Sequence, residues 1–169
     1  MENQIFWKLI DQSRKDADGD LDEQYEIIVS KLSQYTIEEI LEFDRIFYKY
    51  YVDSYTSDLW AAAYIINDGC SNDGFDYFRA WLISKGRKVY EDALKNPDSL
   101  ADIVSDEEYG EFEEFLYVAN DAYNALTGED DFYDRPDRIT YPYPAIELTW
   151  HEDTEELREM LPKLAERFW

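Results

Sequence analysis

The chain has 169 residues, of which 45% are hydrophobic and 17% aromatic, so a single domain can bury a core and global disorder is excluded. Forty acidic residues against 16 basic ones give a formal net charge of −24. This charge excludes direct nucleic-acid binding and attachment to anionic membranes, because both need clustered Lys and Arg. It favours a basic protein or a cation as ligand, while the alternative is a solvated acidic surface that serves solubility alone.

The first part of the chain has apolar residues at helical spacing. A short helix is predicted from Ile5 to the acidic turn at residues 16–20, and a second helix follows that turn. Thr36 begins a third helix, because Thr36-x-x-Glu39 is a capping box whose hydroxyl and carboxylate satisfy free backbone N–H groups. A fourth helix is predicted over residues 59–66.

The second part continues the helical pattern between clear breaks. A turn at residues 67–74 precedes a helix over 75–83, and a shorter helix ends at Asn96-Pro97-Asp98. The most regular periodicity runs from residue 112 to 126 and predicts a helix that Gly128 ends.

Beyond this helix the pattern changes. Residues 129–149 are rich in Tyr and Pro and are expected to form an irregular loop, and a last helix is expected over 154–168, with Pro162 as a kink or break. The sequence therefore predicts an all-α fold, a single compact domain of about seven or eight helices over residues 1–169. One minor short strand pair is allowed, at residues 145–150.

The compartment is also constrained by the sequence. Cys70 is the single cysteine, so no intrachain disulfide can form, which fits a reducing cytoplasm. The first 14 residues have neither the basic start nor the apolar run of a signal peptide, and no stretch approaches about 18 apolar residues. We expect a cytoplasmic protein without a membrane-spanning segment.

Four aspartates alternate along one turn: Asp16, Asp18, Asp20 and Asp22. Alternating carboxylates suit Ca²⁺, but a calcium loop that starts at the first of them needs Gly where Leu21 stands and Glu where Ile27 stands. The favoured interpretation is an acidic turn that caps the second helix and interacts with its positive end.

The strongest charge asymmetry lies between residues 96 and 134, which include 13 acidic and no basic side chains. Its most crowded part is the candidate acidic face: Asp106, Glu107, Glu108, Glu111 and Glu114. The start of the predicted helix at residue 112 explains part of this crowding, because carboxylates are favourable there. Three interpretations remain open, namely a solvated face, a docking face for a basic protein, and a mimic of the phosphates of DNA.

Catalytic signatures are absent. A reactive cysteine needs a base or a cation beside it, and His151, the only histidine, is 81 residues from Cys70 and is followed by two acids. No nucleophile elbow, phosphate-binding glycine loop or zinc motif is present. The sequence predicts no catalytic residue, no cofactor and no metal ligand, and it favours a non-enzymatic protein.

The segment from Gly69 to Leu82 is the best candidate for a specific interaction or ligand site. Four of its residues are candidates: Asp73, Asp76, Arg79 and Trp81. Asp76 and Arg79 are three residues apart and can pair on one helix face, and the aromatic side chains next to Arg79 in sequence could stack on it. The alternative is structural, with Asp73 as a helix cap and Arg79 as a tie to a neighbouring helix.

The same segment carries a family resemblance. Gly69-Cys70-Ser71-x-Asp73-x-Phe75-x-x-Phe78-Arg79-x-Trp81-Leu82, followed by Gly86, resembles the central motif of an uncharacterised bacterial family, DUF4240. Phe6-Trp7-x-Leu9-Ile10-Asp11, Asn96-Pro97-Asp98-Ser99-Leu100-Ala101 and the closing segment at 157–168 resemble its other motifs. The resemblance implies a mostly helical bacterial domain with no known reaction, so it assigns no catalytic residue. Asn72 departs from it, since an acid is expected there.

Three functional hypotheses follow from these observations. The leading hypothesis is a non-enzymatic protein–protein interaction domain with an acidic face, in its most specific form an immunity or antitoxin protein that neutralises a basic partner. The alternatives are an enzyme or small-ligand-binding domain that uses the region between Gly69 and Arg79, and an acidic mimic of DNA. The sequence names neither the partner nor the oligomeric state.

Overall fold

A computed structural model describes all 169 residues. Its nine α-helices are α1 (Asn3–Ala17), α2 (Leu21–Leu32), α3 (Ile37–Asp53), α4 (Ser57–Ile66), α5 (Asn72–Ser84), α6 (Arg87–Lys95), α7 (Val118–Thr127), α8 (Thr154–Met160) and α9 (Pro162–Phe168). Short 3₁₀ helices occur at Pro97–Asp102, Glu113–Tyr117 and Phe132–Asp134. The predicted all-α class is confirmed. The helices number nine rather than seven or eight, in part because Pro162 divides the last predicted helix into two.

Helix α5 lies at the centre of the fold. It contacts α1, α3, α4 and α6 together with the 3₁₀ helix at Glu113–Tyr117. Its residues from Phe78 to Ser84 are all buried, as expected for a helix that is surrounded on every side. Side chains of α5 are therefore in a position to tie several elements together.

The helix starts follow the local sequence closely. Thr36 accepts a hydrogen bond from the Glu39 amide while the Glu39 carboxylate accepts from the Thr36 amide, which confirms the capping box. Asp20 caps α2 by accepting from the Glu23 amide at 2.9 Å, so the acidic turn has the predicted capping role. Gly128 ends α7 in the left-handed conformation at φ 75°, as the sequence predicts.

The helix predicted from residue 112 begins later. Residues 106–112 form turns and bends, a 3₁₀ helix covers Glu113–Tyr117, and α7 starts only at Val118. The Phe112 amide donates to the Tyr77 carbonyl at 3.0 Å, so a contact with α5 replaces the expected helical bond. The acidic residues before Phe112 consequently do not occupy a helix N-terminus, and a helix dipole does not explain their crowding.

Residues 138–149 cross the surface in an extended path that we call the strap. No backbone N–H or C=O group of residues 139–148 bonds to another backbone group, and this part of the strap is attached through side chains such as Tyr141 and Tyr143. At its end the Thr149 amide donates to Ser57 Oγ at 2.9 Å, and the Trp150 indole donates to the Ser57 carbonyl at 2.8 Å. The allowed strand at residues 145–150 does not form, because its backbone has no partner strand.

No helix of the protein combines the length and the apolarity that crossing a bilayer requires.

The C-terminal helices dock through one buried carboxylate. The start of α9 has no side-chain cap of its own, and Asp98 accepts from the Leu164 amide at 2.9 Å and the Lys163 amide at 3.1 Å. Because Asp98 is itself buried, it caps α9 from 65 residues away and joins it to the turn at Pro97.

Replacing Asp98 by Ala should lower the free energy of unfolding by about 1–2 kcal/mol, because two amides of α9 lose their acceptor. Urea denaturation followed by circular dichroism measures the loss. Asp102→Ala, at an exposed position of the same 3₁₀ helix, is the control and should change stability by less than about 0.5 kcal/mol. Equal effects of the two substitutions would contradict this capping role.

Candidate functional site

A buried arginine lies where α3, α5 and the strap meet. Arg79 of α5 is fully buried, and its guanidinium carbon lies 4.0 Å from the ring centre of Tyr51, 4.9 Å from that of Tyr55, 5.0 Å from that of Phe75 and 5.2 Å from that of Tyr143. We call this arrangement the Arg79 cage. Four aromatic faces around one cation compensate part of the loss of its hydration.

Hydrogen bonds account for the remaining polarity of the guanidinium. Arg79 Nη1 donates to the Tyr51 carbonyl at 2.8 Å, Nε donates to the Phe75 carbonyl at 3.3 Å, and Nη2 donates to Asp76 Oδ1 at 2.5 Å. The predicted pair of Asp76 and Arg79 is therefore present. Because the guanidinium is fully buried and each of its three nitrogens already donates inside the protein, it is not open to a ligand.

The other candidates from this segment lie elsewhere. The aromatic partners of Arg79 are not its sequence neighbours Tyr77, Phe78 and Trp81, since those side chains project from other sides of α5. Trp81 is fully buried and donates its indole N–H to Glu108 Oε1 at 2.6 Å. Asp73 is exposed and is not the helix cap, because Ser71 caps α5 by accepting from the Gly74 amide. The structure does not bring the four predicted residues into one open cleft.

The acidic segment packs directly beside this helix. Asn67 Oδ1 accepts from the Gly110 amide at 3.1 Å, and Asn67 Nδ2 donates to the Gly110 carbonyl at 3.3 Å. A methyl group on Gly110 would lie 3.1 Å from an Ile66 methyl, so the close approach favours glycine there. Together with the bond between Phe112 and Tyr77, these contacts fix residues 110–112 against α4 and α5.

The candidate acidic face divides into engaged and free carboxylates. Glu108 is half-buried, and its Oε1 lies 2.5 Å from Lys85 Nζ in addition to its bond from Trp81, so it does not belong to a solvated surface. Asp106 pairs with Arg167 at 2.9 Å. Glu107, Glu111 and Glu114 are exposed and have no basic partner. The same is true of Glu113 in the same segment.

Cys70 does not have the environment of a catalytic thiol. Burial, assisted by the nearby Glu111 carboxylate, raises the pKa of the Cys70 thiol to about 12, so the group stays protonated at neutral pH. His151 is exposed and its Nδ1 lies 3.2 Å from Glu156 Oε2. The two residues form no contact with each other, and the structure provides no base for the thiol.

A second polar centre, which the sequence did not reveal, lies on the other side of Tyr51. We call it the tyrosine cavity; its volume is about 320 Å³. It is lined by Asp44, Phe47, Tyr48, Tyr51, Leu116, Tyr117, Tyr133, Arg138 and Tyr143. Tyr51 and Tyr143 belong to both this cavity and the Arg79 cage, so the two centres share a wall.

A buried ion pair forms the polar part of this cavity. Asp44 is only 6% exposed, and its Oδ2 accepts from Arg138 Nε at 2.9 Å. Burial raises the pKa of Asp44 from its usual 3.8 to about 6, while Arg138 opposes the shift. The guanidinium of Arg138 lies 4.9 Å from the Tyr133 ring centre and 5.6 Å from that of Tyr48.

The one sequence signal for this cavity is the position of Asp44 next to Phe43 on the amphipathic helix α3. Its partner Arg138 lies 94 residues away in the irregular loop, where no periodicity indicates which way a side chain points. The pairing therefore depends on tertiary structure alone.

The architecture defines an all-α domain with two caged arginines and an acidic exterior. A family model described as "Protein of unknown function (DUF4240)" matches residues 1–125 of the chain, which is well over half of it. The chain belongs to this family, and the resemblance predicted from the motifs is confirmed. No curated protein and no solved structure matches the chain. The matched part contains Asp44 and Arg79, whereas the strap and the closing segment at 157–168 lie outside it.

Replacing Asp76 by Asn should destabilise the protein by about 1.5–3 kcal/mol, because a fully buried guanidinium then loses its only carboxylate partner. Chemical denaturation at neutral pH measures the change. Asp73→Asn removes an exposed carboxylate from the same helix and should stay within about 0.5 kcal/mol of the parent. If both variants are equally stable, the ion pair does not hold the Arg79 cage together.

Because of the raised pKa of Asp44, the free energy of unfolding should fall as pH rises from about 4 to about 6. The folded chain holds the Asp44 proton more tightly than the unfolded chain, so it binds more protons in this window, and rising pH favours unfolding. Asp44→Asn should remove this contribution. The free energy of unfolding of both proteins at a series of pH values tests it, with Asp16→Asn, from an exposed pair, as the control. Parallel pH profiles for parent and Asp44→Asn would contradict the assignment.

Proposed function

We propose that the protein is a non-enzymatic interaction domain that binds a basic protein through an acidic face formed by Glu107, Glu111, Glu113 and Glu114. The observation that carries this proposal is the excess of free carboxylates. Ten of the 16 Lys and Arg side chains pair with ten different carboxylates, so 30 of the 40 acidic side chains have no Lys or Arg partner. A surface of this kind attracts a positively charged protein and accelerates the encounter.

The acidic face is anchored at residues 110–112 and includes an exposed aromatic side chain. The contacts of Gly110 with Asn67 and of Phe112 with Tyr77 hold the segment against the helices below it. Tyr109, which lies between Glu107 and Glu111 in sequence, is 80% exposed. Exposed tyrosines are enriched in protein interfaces, because the ring supplies contact area at a small cost in conformational entropy.

Acidic side chains from other elements extend the face. The Tyr25 hydroxyl of α2 donates to Asp121 of α7. Burial and the nearby carboxylates of Asp121, Glu26 and Glu114 raise the pKa of that hydroxyl, so acids from three elements converge at this point. This convergence supports a broad acidic surface rather than a single acidic loop.

In its specific form, the proposed function is that of a bacterial immunity or antitoxin protein that acts in the cytoplasm and neutralises a basic toxin. An enzyme at the region between Gly69 and Arg79 is less favoured, because the one cationic group there is fully buried and fully hydrogen-bonded. A mimic of DNA would use the same acidic face and differs only in the basic protein that it binds.

The test uses the basic proteins that are encoded next to the gene for this chain, co-expressed and then titrated by calorimetry. Association with one of them should weaken at least about tenfold when NaCl rises from about 0.1 M to about 1 M, which shortens the Debye length from about 10 Å to about 3 Å. Replacing the four glutamates of the acidic face by Gln should weaken it comparably. Binding that neither salt nor these substitutions affect would overturn the proposal.

A matched control removes the same charge elsewhere. Four exposed glutamates at the C-terminal end serve for this: Glu152, Glu155, Glu159 and Glu166. Their replacement by Gln removes the same four negative charges. It should leave the affinity for the basic protein within about twofold if the acidic face is the binding surface. Equal loss in both variants would indicate nonspecific attraction to total charge. Displacement of the bound protein by duplex DNA would favour the DNA mimic.

A further inference from the structure

The tyrosine cavity contains hydrogen-bond donors and acceptors that have no partner within the protein. Asp44 Oδ1 accepts no hydrogen bond from any protein group, and Arg138 donates only through Nε, so both of its Nη groups are without a protein acceptor. Both side chains line the cavity. Each of these atoms keeps some solvent exposure and none is a sealed, unsatisfied group, so a ligand that enters the cavity can reach all of them.

The charge of the cavity restricts what could complete it. Asp44 and Arg138 together are neutral at pH 7, so a lone anion or a lone cation would leave one member of the pair uncompensated. A divalent metal is disfavoured, because Asp44 is the only carboxylate among the lining residues and hard cations require about six oxygen ligands. The complementary ligand carries a positive donor and a negative acceptor side by side.

The walls restrict the remainder of the ligand. Phe47, Leu116 and the faces of five tyrosines supply most of the lining. Burial, assisted by Asp44, raises the pKa of Tyr133 to about 12, so its hydroxyl remains a neutral donor at physiological pH. A volume of about 320 Å³ is at the small end of ligand pockets, which run from about 300 to 1,000 Å³. An aromatic group fits such walls by stacking.

We propose that the tyrosine cavity binds a free aromatic α-amino acid as its zwitterion. The ammonium group donates to Asp44 Oδ1, the carboxylate accepts from the Nη groups of Arg138, and the side chain stacks among the tyrosines. The charge-assisted bonds are of the strong kind, because both partners of each bond are ionised. This inference is independent of the acidic face, since the two sites use different residues.

The experiment is calorimetric titration of the full chain with L-phenylalanine and with two analogues that each lack one charge, phenethylamine and 3-phenylpropionate. L-phenylalanine should bind measurably, and each analogue should bind at least about tenfold more weakly, because one charge-assisted contact is lost. The series needs no variant, so folding defects do not complicate it. Absence of a binding signal for L-phenylalanine at about 10 mM, well above a typical dissociation constant of 1 mM or less for a specific site, would overturn the proposal. Equal binding of all three compounds would do the same.

A variant pair then assigns the contact. Arg138→Gln should weaken binding of L-phenylalanine at least about tenfold, whereas Arg135→Gln, from the same loop but outside the cavity lining, should leave it unchanged. Circular dichroism and thermal unfolding establish that both variants fold. Unchanged binding in folded Arg138→Gln would refute the assigned site, whatever the outcome at the acidic face.

Discussion

The arrangement of the fold depends on the buried guanidinium of Arg79. It is the one positive charge that lies fully inside the protein, and it is stabilised only when α3, α5 and the strap all contribute to it. Tyr51 supplies a carbonyl and a ring face, Asp76 supplies the opposing charge, and Tyr143 covers the cage from the strap. A buried charge with incomplete partners costs several kcal/mol, so the three elements are coupled in their positions.

This coupling explains how a strap whose backbone is hydrogen-bonded only at its two ends keeps a defined path. Tyr143 reaches the Arg79 cage, Arg138 reaches Asp44, and Tyr141 accepts from Arg45 at 3.3 Å. Each attachment is a side chain that meets a group of α3 or α5. The strap therefore completes two polar centres whose other members, apart from Tyr133, lie within the residues that match the family model.

The acidic composition and the dense aromatic core have complementary physical roles. Mutual repulsion among 30 unpaired carboxylates opposes folding, and burial of large aromatic side chains offsets it. Trp7 contacts Phe6, Tyr50 and Tyr90 through ring pairs that join α1, α3 and α6. The chain can thus carry an exterior that attracts cationic partners and remain folded.

Much of the helical layout was predictable because its signals are local. Thr36, Asp20 and Gly128 have the predicted roles, since a cap depends on residues within one turn. The helix predicted to begin at Phe112 begins later in the chain. The Phe112 amide donates to the Tyr77 carbonyl across the fold, and this tertiary contact outweighs the local helical periodicity. The inward position of Glu108 was not predictable for the same reason, since its partners Lys85 and Trp81 lie 23 and 27 residues away in sequence.

The sequence by itself determined the all-α class, the caps of α2, α3 and α7, the family and the acidic balance, because these depend on composition and on short local spacings. Only the tertiary structure decided which carboxylates are free and which are neutralised, which rings surround Arg79, and that Asp44 meets Arg138. Those outcomes are set by contacts across tens of residues. Burial converts such contacts from weak surface interactions into constraints that the chain must satisfy.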